Sequence, residues 1–376
     1  MKFFKIMTLL IIAINGGIAF EGRTLSIGET IERNGYKLML IAKDIEIPWG
    51  LTQLPNGDFI ATSRPGKLFY ITSDKLLKHQ ISGLPPVHDF GQGGLLDIQL
   101  HPNFKDNGWI YFSYSHPDEK RTLSNTAIMR AKLKDKKQLI DVQQIYVAQP
   151  YTSKRQHFGS RMVFDSDGYL YFSIGDRGDR KTNPQSIQLD AGKIYRIHDD
   201  GKIPTDNPFV KIPDAKPAIY SYGHRNPQGM ALHPQTSQVW VHEHGPKGGD
   251  EINIIEGGKN YGWPIVSYGV NYDGSQFTEL TEKKGMEQPV WYWDPSIAPS
   301  GMTFVVGDYY PKWKGHLIVG SLKFGKVILC QLKGNKVVAQ KTILSDLIRV
   351  RNVTQLNDGY IYLATDEGNI YRVLPE

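Results

Sequence analysis

The side chains best suited to chemistry are concentrated in five short, glycine-rich segments of this sequence. The segments are Gly91–Gly94, His157–Arg161, Gly175–Gly178, Gly223–Gly229 and His242–Glu251. Together they hold imidazole, guanidinium and carboxylate groups. An imidazole such as that of His157 can act as a general base because its pKa lies near neutral pH. A single histidine is, however, more often a hydrogen-bonded structural residue.

Two pairs of residues in the sequence allow more than one interpretation. His242 and His244 are two positions apart, so they could share a metal ion or simply flank one face of a strand. Arg349 and Arg351 would share a face if Arg-Val-Arg is extended. Two adjacent guanidinium groups repel each other unless an anion lies between them or both face water.

The elements that position these residues are predicted to be β-strands. An apolar residue, a turn with Gly, Asn or Asp, and a β-branched or aromatic run recur together. The copies lie at 54–62, 100–113, 163–173, 232–241, 310–319 and 356–364, and their turns are 51, 60, 70, 77 and 44 residues apart. Such spacing is typical of propeller blades. It predicts an all-β, six-bladed β-propeller with four antiparallel strands per blade, the alternative being a pair of β-sandwiches.

Composition and missing motifs exclude several classes of protein. The 376 residues include 38 Gly, 22 Pro and 42 aromatic side chains, too many turn residues for a helical bundle and too many aromatics for a disordered chain. A net charge of +6 spread over this length does not indicate nucleic-acid binding. The P-loop, the complete Gly-x-Gly-x-x-Gly, the Gly-x-Ser-x-Gly and the His-Glu-x-x-His motifs are missing from the sequence. The tripeptide Arg177-Gly-Asp179 is too short to indicate adhesion.

The N-terminus has the pattern of an export signal. Lys2 and Lys5 precede the apolar run Met7–Ile14, and small residues follow up to Ala19. The apolar run is shorter than the roughly 20 residues that span a bilayer. We therefore predict a signal peptide at 1–19, a single propeller domain at 20–376, no membrane span in the mature chain, and a periplasmic or secreted location.

Seven short motifs in order along the chain resemble one known family. They are Gln92-Gly-Gly-Leu-Leu, His157-Phe-Gly, Gly223-His-Arg-Asn-Pro-Gln-Gly229, Glu243-His-Gly-Pro, Gly249-Asp-Glu-Ile-Asn253, Lys259-Asn-Tyr-Gly-Trp-Pro264 and Ala298-Pro-Ser-Gly. The set resembles the soluble PQQ-dependent sugar dehydrogenases, and most strongly their aldose sugar dehydrogenase branch. The resemblance extends from about Ile47 to Val373. His244 stands where the glucose-specific branch has Gln, and the long insertions of that branch are not evident.

The resemblance implies catalytic roles for three residues. His157 would be the base that takes the proton of the sugar hydroxyl, and Asp176 would hold and polarise that imidazole. Arg225 would stabilise the negative charge that develops on the cofactor during the reaction.

The resemblance also implies a set of cofactor and metal ligands. The residues matching positions that bind PQQ are Gln92, Arg225, Asn226, Tyr272, Trp291, Ser296, Lys323, Arg349 and Arg351. Because PQQ carries three carboxylates, Arg349 and Arg351 would act as a carboxylate clamp. The metal would be Ca²⁺, at one site with the carbonyls of Gly245 and Pro246 and at a second with Glu251 and the Tyr261 carbonyl. His242 and His244 would then not be a transition-metal pair.

The implied function is oxidation of aldose sugars at C1 to lactones, with electrons passed to an external acceptor by a monomer or homodimer. Two alternatives are a Ca²⁺-dependent propeller lactonase and a non-catalytic propeller that binds sugars or a partner. A lactonase has no need of the cationic set Lys323, Arg349 and Arg351. A pure binding protein has no need of His157 together with Asp176.

Overall fold

Six β-sheets arranged as blades form the fold in the computed structural model, which describes residues 25–375. The predicted signal peptide, 1–19, lies outside the described residues. The part of the chain from 25 to 375 has a single α-helix, α1 (Phe104–Asn107). None of the helices described is long and apolar enough to cross a membrane.

The strands follow one another blade by blade along the chain. The N-terminal strands are β1 (Thr30–Arg33) and β2 (Tyr36–Ala42). Blade 1 contains β3 (Pro48–Gln53), β4 (Phe59–Ser63), β5 (Lys67–Ile71) and β6 (Lys78–Ile81). Blade 2 contains β7 (Leu95–Leu100), β8 (Trp109–Pro117), β9 (Ser124–Lys134) and β10 (Gln138–Val147). Blade 3 contains β11 (Met162–Phe164), β12 (Leu170–Ile174), β13 (Lys193–Ile197) and β14 (Ile219–Tyr222).

The C-terminal half repeats this order. Blade 4 contains β15 (Pro227–Leu232), β16 (Val239–Glu243), β17 (Asp250–Ile254) and β18 (Trp291–Trp293). Blade 5 contains β19 (Pro299–Phe304), β20 (Leu317–Ser321), β21 (Lys326–Lys333) and β22 (Lys336–Leu344). Blade 6 contains β23 (Val350–Gln355), β24 (Ile361–Thr365) and β25 (Ile370–Val373), completed by β2 and extended by β1.

The predicted six-bladed propeller with four antiparallel strands per blade is confirmed. Each of the six repeated sequence patterns forms the turn between the first and second strand of a blade. In two of these turns Gly57 and Gly359 have φ angles of 89° and 83°, a conformation that glycine adopts without a steric penalty. Blade 6 adds a fifth strand, β1, because the chain before β2 folds back on it.

The propeller closes by pairing the two ends of the chain. Strand β2 pairs antiparallel with β25, so N-terminal and C-terminal residues share blade 6. The first strands of neighbouring blades contact one another around the ring, and β23 of blade 6 contacts β3 of blade 1. Aromatic side chains pack between blades, as Phe59 does against Tyr362 with 5.4 Å between ring centroids. The channel is therefore surrounded by the first strand of each blade.

Candidate active site

The predicted site segments all lie at one end of the channel. The strands within a blade are antiparallel, so the start of its first strand and the end of its second lie at the same edge of the sheet. His157 precedes β11 and Asp176 follows β12, while Arg225 precedes β15 and Gly245 follows β16. The topology therefore assembles residues that are far apart in sequence.

A cavity of about 810 Å³ opens at this end of the channel, a size typical of small-molecule sites. Nine of the predicted cofactor and metal residues line it. They are Gln92, Asn226, Gly245, Pro246, Tyr272, Ser296, Lys323, Arg349 and Arg351. Tyr272 is 72% exposed at the rim, whereas Asn226 is buried in the wall.

A smaller cavity of about 410 Å³ adjoins the first. His157, Asp176 and Arg225, the three predicted catalytic residues, all line it. The two cavities share Gln92, Pro246 and Tyr272 among their lining residues. A substrate in the smaller cavity would therefore lie next to a cofactor in the larger one.

His157 and Asp176 form a hydrogen-bonded pair. Nδ1 of His157 lies 2.6 Å from Oδ1 of Asp176, and the aspartate is almost fully buried. The backbone N–H of Gly178 donates to the same oxygen, and Trp263 Nε1 donates to Oδ2 at 2.9 Å. The carboxylate thus holds the imidazole through Nδ1 and leaves Nε2 as the nitrogen that can take a proton.

Opposing effects set the pKa values of this pair. Burial lowers the pKa of His157 below its usual 6.5, and the charges of Arg225 and Arg177 lower it further, while Asp176 acts in the opposite direction. Burial raises the pKa of Asp176, but the hydrogen bond from His157 and the charges of His157 and Arg225 outweigh it. As a result, the pKa of the Asp176 carboxyl is lower than its usual value. At neutral pH the pair is therefore a neutral imidazole beside a carboxylate.

Arg225 is held by residues at and just after the end of strand β16, which leads to the candidate metal ligands Gly245 and Pro246. Its backbone N–H donates to Oε2 of Glu243 at 2.6 Å. Its guanidinium donates to the carbonyls of His244 at 3.0 Å and Gly245 at 2.7 Å. His224, its neighbour in sequence, is fully buried and lies 2.8 Å from Glu243 Oε1. His224 therefore supports this segment and does not compete with His157.

Arg349 and Arg351 share an internal anion that the sequence analysis missed. Asp366 accepts from Arg351 through both carboxylate oxygens, at 2.8 Å each, and from Arg349 Nε at 2.8 Å. The two positive charges are thus balanced by one negative charge, and the cluster keeps a net positive charge beside the larger cavity. The repulsion expected for an Arg-Val-Arg segment is relieved within the protein.

The charges that line the larger cavity suit an anionic cofactor. Arg64, Lys247 and Lys323 line it in addition to the arginine pair, while Asp294 is the acidic side chain among the described lining residues. Ser296, another predicted contact, donates its hydroxyl to Asp250 at 2.7 Å. The excess of cationic groups gives carboxylates of a ligand several partners.

The second predicted metal site contains two carboxylates, that of the buried Glu243 and that of the partly exposed Glu251. A cavity of about 10 Å³, room for one water or one ion, is lined by Glu243, Gly245, Glu251 and Tyr261. Burial and the nearby charge of Glu243 raise the pKa of Glu251 to about 8, so a cation here would relieve repulsion. Ca²⁺ accepts carbonyl as well as carboxylate ligands, and the donors present fit it.

The first predicted metal site rests on carbonyl oxygens. Gly245 and Pro246 line the larger cavity, and the Gly245 carbonyl already accepts one hydrogen bond from Arg225. A carbonyl oxygen has a second lone pair for a cation. Within residues 25–375, no group of three or more His, Cys, Asp or Glu side chains could hold a metal, so both sites depend on backbone oxygens.

Trp291 lies apart from the other predicted cofactor residues. It lines a separate groove with Tyr268 and Phe324 and is not among the residues around the larger cavity. His242 and His244 also lie in different environments. The fully buried His242 packs against Gly229, whereas His244 lines the cavity, with Nε2 2.6 Å from the Pro299 carbonyl.

The roles of three supporting residues were not predicted from the sequence. Trp263 holds Asp176, Glu243 holds Arg225, and Asp366 holds the arginine pair. Trp263 and Glu243 lie within two of the motifs that resemble the sugar dehydrogenases, so their place there was the available signal. Asp366 follows the buried strand β24 in an Asp-Glu-Gly turn, which has no distinguishing pattern.

Comparison with known proteins identifies close relatives. The family model described as glucose/sorbosone dehydrogenase matches residues 45–372. The aldose sugar dehydrogenase YliI of Escherichia coli is 42% identical over 338 residues, covering 88% of this chain and 91% of that protein. The apo structure of the soluble aldose sugar dehydrogenase of Escherichia coli superposes with a TM-score of 0.86 at 39% identity, covering 91% of this chain and all of the other. The PQQ-bound aldose sugar dehydrogenase of Streptomyces coelicolor gives 0.74 at 26% identity, covering 90% and 96%.

Proposed function

This chain belongs to the glucose/sorbosone dehydrogenase family, and we propose that it is a PQQ- and Ca²⁺-dependent dehydrogenase of aldose sugars. It would oxidise the sugar at C1 to the lactone and deliver the electrons to an external acceptor. The observation that carries the proposal is the His157–Asp176 pair, which lines a cavity beside the larger, cationic one. The PQQ-bound relative from Streptomyces coelicolor supports the choice of cofactor.

The chain's own residues supply the proton chemistry. The C1 hydroxyl of the sugar would give its proton to Nε2 of His157, because Nδ1 is held by Asp176. Asp176 would stabilise the imidazolium that forms, as the carboxylate of a catalytic triad does. Arg225 would place a fixed positive charge on the wall of the same cavity.

The remaining predicted residues would hold the cofactor and metal ions. Lys323, Arg349 and Arg351 would bind the carboxylates of PQQ, and Gln92, Asn226, Tyr272 and Ser296 complete the lining. When bound, PQQ supplies the hydride acceptor, polarised by Ca²⁺ acting as a Lewis acid. Gly245 and Pro246 would hold that Ca²⁺, and Glu251 and Tyr261 a structural one. Trp291 lines another groove and is left out of this set.

The decisive experiment adds PQQ and Ca²⁺ to purified apo-protein and follows reduction of a redox dye with glucose, arabinose or maltose. We expect sugar-dependent dye reduction that requires both additions. Tight PQQ binding without dye reduction on any aldose would contradict the proposal. Hydrolysis of a sugar lactone without PQQ would instead indicate a lactonase.

We further propose that the protein works outside the cytoplasm after removal of residues 1–19. An exported enzyme would encounter sugars directly and would need an external electron acceptor. N-terminal sequencing of the protein purified from its host tests this. A mature chain that starts near residue 20 is expected, and a full-length chain in the cytoplasm would contradict export.

A further inference from the structure

Arg177 is a buried cation that contacts the segment carrying His157. It is 1% exposed, so it is not available to an adhesion receptor despite its place in Arg-Gly-Asp. It follows Asp176 in the loop after β12 and has a φ angle of 53°, a left-handed conformation that few non-glycine residues adopt. This turn directs the Asp176 and Arg177 side chains to partners in the same neighbouring segment.

The contacts of Arg177 bracket His157 on both sides. Its guanidinium donates to the backbone carbonyls of Lys154, at 2.8 Å, and Gln156. Its Cζ atom lies 3.4 Å from the centroid of the Phe158 ring. The residues immediately before and after His157 are therefore both held by one side chain.

The segment that carries His157 has a backbone that needs such support. His157 has a φ of 58° and Ser160 a φ of 82°, both in the region that disfavours side chains. Strained conformations of this kind persist only where surrounding contacts enforce them. The backbone N–H of His157 also donates to Gln92 Oε1 at 2.8 Å.

Burying the Arg177 guanidinium costs free energy that a purely structural role would not require. No hydrogen-bond partner for its buried Nε is present among the described residues, and burial lowers the pKa of the guanidinium to about 9. Burying a charged group with an unpaired polar atom costs free energy that an apolar side chain would not cost. A cation at this position is therefore better explained by what it does to His157.

We propose that Arg177 is a positioning residue for His157, fixing the backbone on both sides of it so that the imidazole meets Asp176 and the substrate cavity in one orientation. The inference rests on the proposed function, in which His157 is the base. Asp176 and Arg177, adjacent in sequence, would thus control the side chain and the backbone of the same residue. The positive charges of Arg177 and Arg225 also favour the neutral imidazole, while Asp176 opposes them.

Two variants separate geometry from charge. Arg177→Met removes both the charge and the donors, and Arg177→Lys keeps the charge but cannot donate to two carbonyls in a fork. We expect kcat to fall about 10- to 100-fold in Arg177→Met with KM changed less than about threefold, since small misplacement of a catalytic group has effects of this size. Arg177→Lys should recover only part of the loss.

A spectroscopic readout does not depend on turnover. In the apo-protein, NMR of the ¹⁵N-labelled histidines should show the Nδ1–H proton that His157 shares with Asp176. We expect this signal to broaden or disappear in both variants, and the pKa of His157 to rise in Arg177→Met alone. Arg155→Met is the matched control, because Arg155 is exposed in the same segment and stacks on Phe90. It should retain the signal and the wild-type kcat.

The proposal is overturned if Arg177→Met keeps both the wild-type kcat and the His157 signal. It is also overturned if neither variant folds, because Arg177 would then have a structural role, or if Arg155→Met shows the same loss. A wild-type protein that reduces no dye would refute the proposed function alone, since the NMR comparison would still report on the contact between Arg177 and His157.

Discussion

The imidazole of His157 is bound through Nδ1 to Oδ1 of Asp176 at 2.6 Å, although 19 residues separate them in the chain. His157 precedes the first strand of blade 3 and Asp176 follows the second. The pair is thus created by the antiparallel return of one blade. Nε2 of His157 is therefore the nitrogen that remains available to a substrate.

Replacing His157 by Gln should lower kcat by about 100-fold or more, because general-base catalysis contributes at least this much. PQQ binding should stay nearly unchanged, since His157 lines the smaller cavity and not the larger one. Dye-reduction kinetics and a PQQ titration measure the two effects. His198→Gln, away from both cavities, is the control. Turnover that survives in His157→Gln would show that another group is the base.

Replacing Asp176 by Asn should lower kcat by about 100-fold or more while the protein stays folded. Both carboxylate oxygens accept hydrogen bonds, Oδ1 from His157 and Gly178 and Oδ2 from Trp263. An amide NH₂ would face an N–H donor on one side. Stopped-flow turnover and thermal unfolding measure the effect. A variant with wild-type turnover would remove Asp176 from the mechanism.

Activity should persist to a lower pH than a histidine base with an ordinary pKa would allow. Because burial and the charges of Arg225 and Arg177 lower the pKa of His157 below 6.5, more than half of the imidazole is neutral at pH 6.5. The kcat/KM value should fall only as the pH drops through that lowered pKa, where the base becomes protonated. A pH profile in buffers of constant ionic strength tests this. An acid limb centred above pH 6.5 would mean that a different group controls it.

Removing the Asp366 carboxylate between the two arginines should lower the stability of the protein in the absence of PQQ. Asp366→Ala leaves Arg349 and Arg351 without their shared partner, so the apo-protein should melt at a lower temperature than wild type. PQQ should then raise the melting temperature more in the variant, because its carboxylates replace the missing anion. Differential scanning fluorimetry measures both effects, with Asp308→Ala, in an exposed ion pair, as control. An unchanged PQQ-induced shift would argue against the carboxylate clamp.

Calcium should stabilise the apo-protein through the Glu251 site. At a Ca²⁺ concentration about 100 times its Kd, linkage stabilises by about 2.7 kcal/mol, which corresponds to a few degrees for a chain of this length. Glu251→Gln should abolish most of this shift, whereas Glu256→Gln, an exposed residue of the same blade, should keep it. A shift that is equal in all three proteins would place the ion elsewhere.

Periodicity was enough to predict the architecture, and most of the predicted site residues lie together at one end of the channel. The six turn-and-strand patterns predict the blades because β-branched and aromatic runs after Asn-Gly or Asp-Gly turns leave few alternatives. The ordered motifs predict His157, Asp176 and Arg225 as neighbours, and all three line one cavity. Trp291 is not part of this group, because it lines another groove.

Tertiary structure decided what the charged residues bind. The sequence left open whether an anion lies between Arg349 and Arg351 or both face water, and only the return of β24 to β23 supplies Asp366 between them. The sequence around Arg177 was too short a motif to assign any role, and only the fold buries this side chain against the carbonyls near His157. The physical reason is the same in both cases. Local sequence determines strands and turns, whereas the partner of a charge depends on which distant backbone is brought within hydrogen-bond distance.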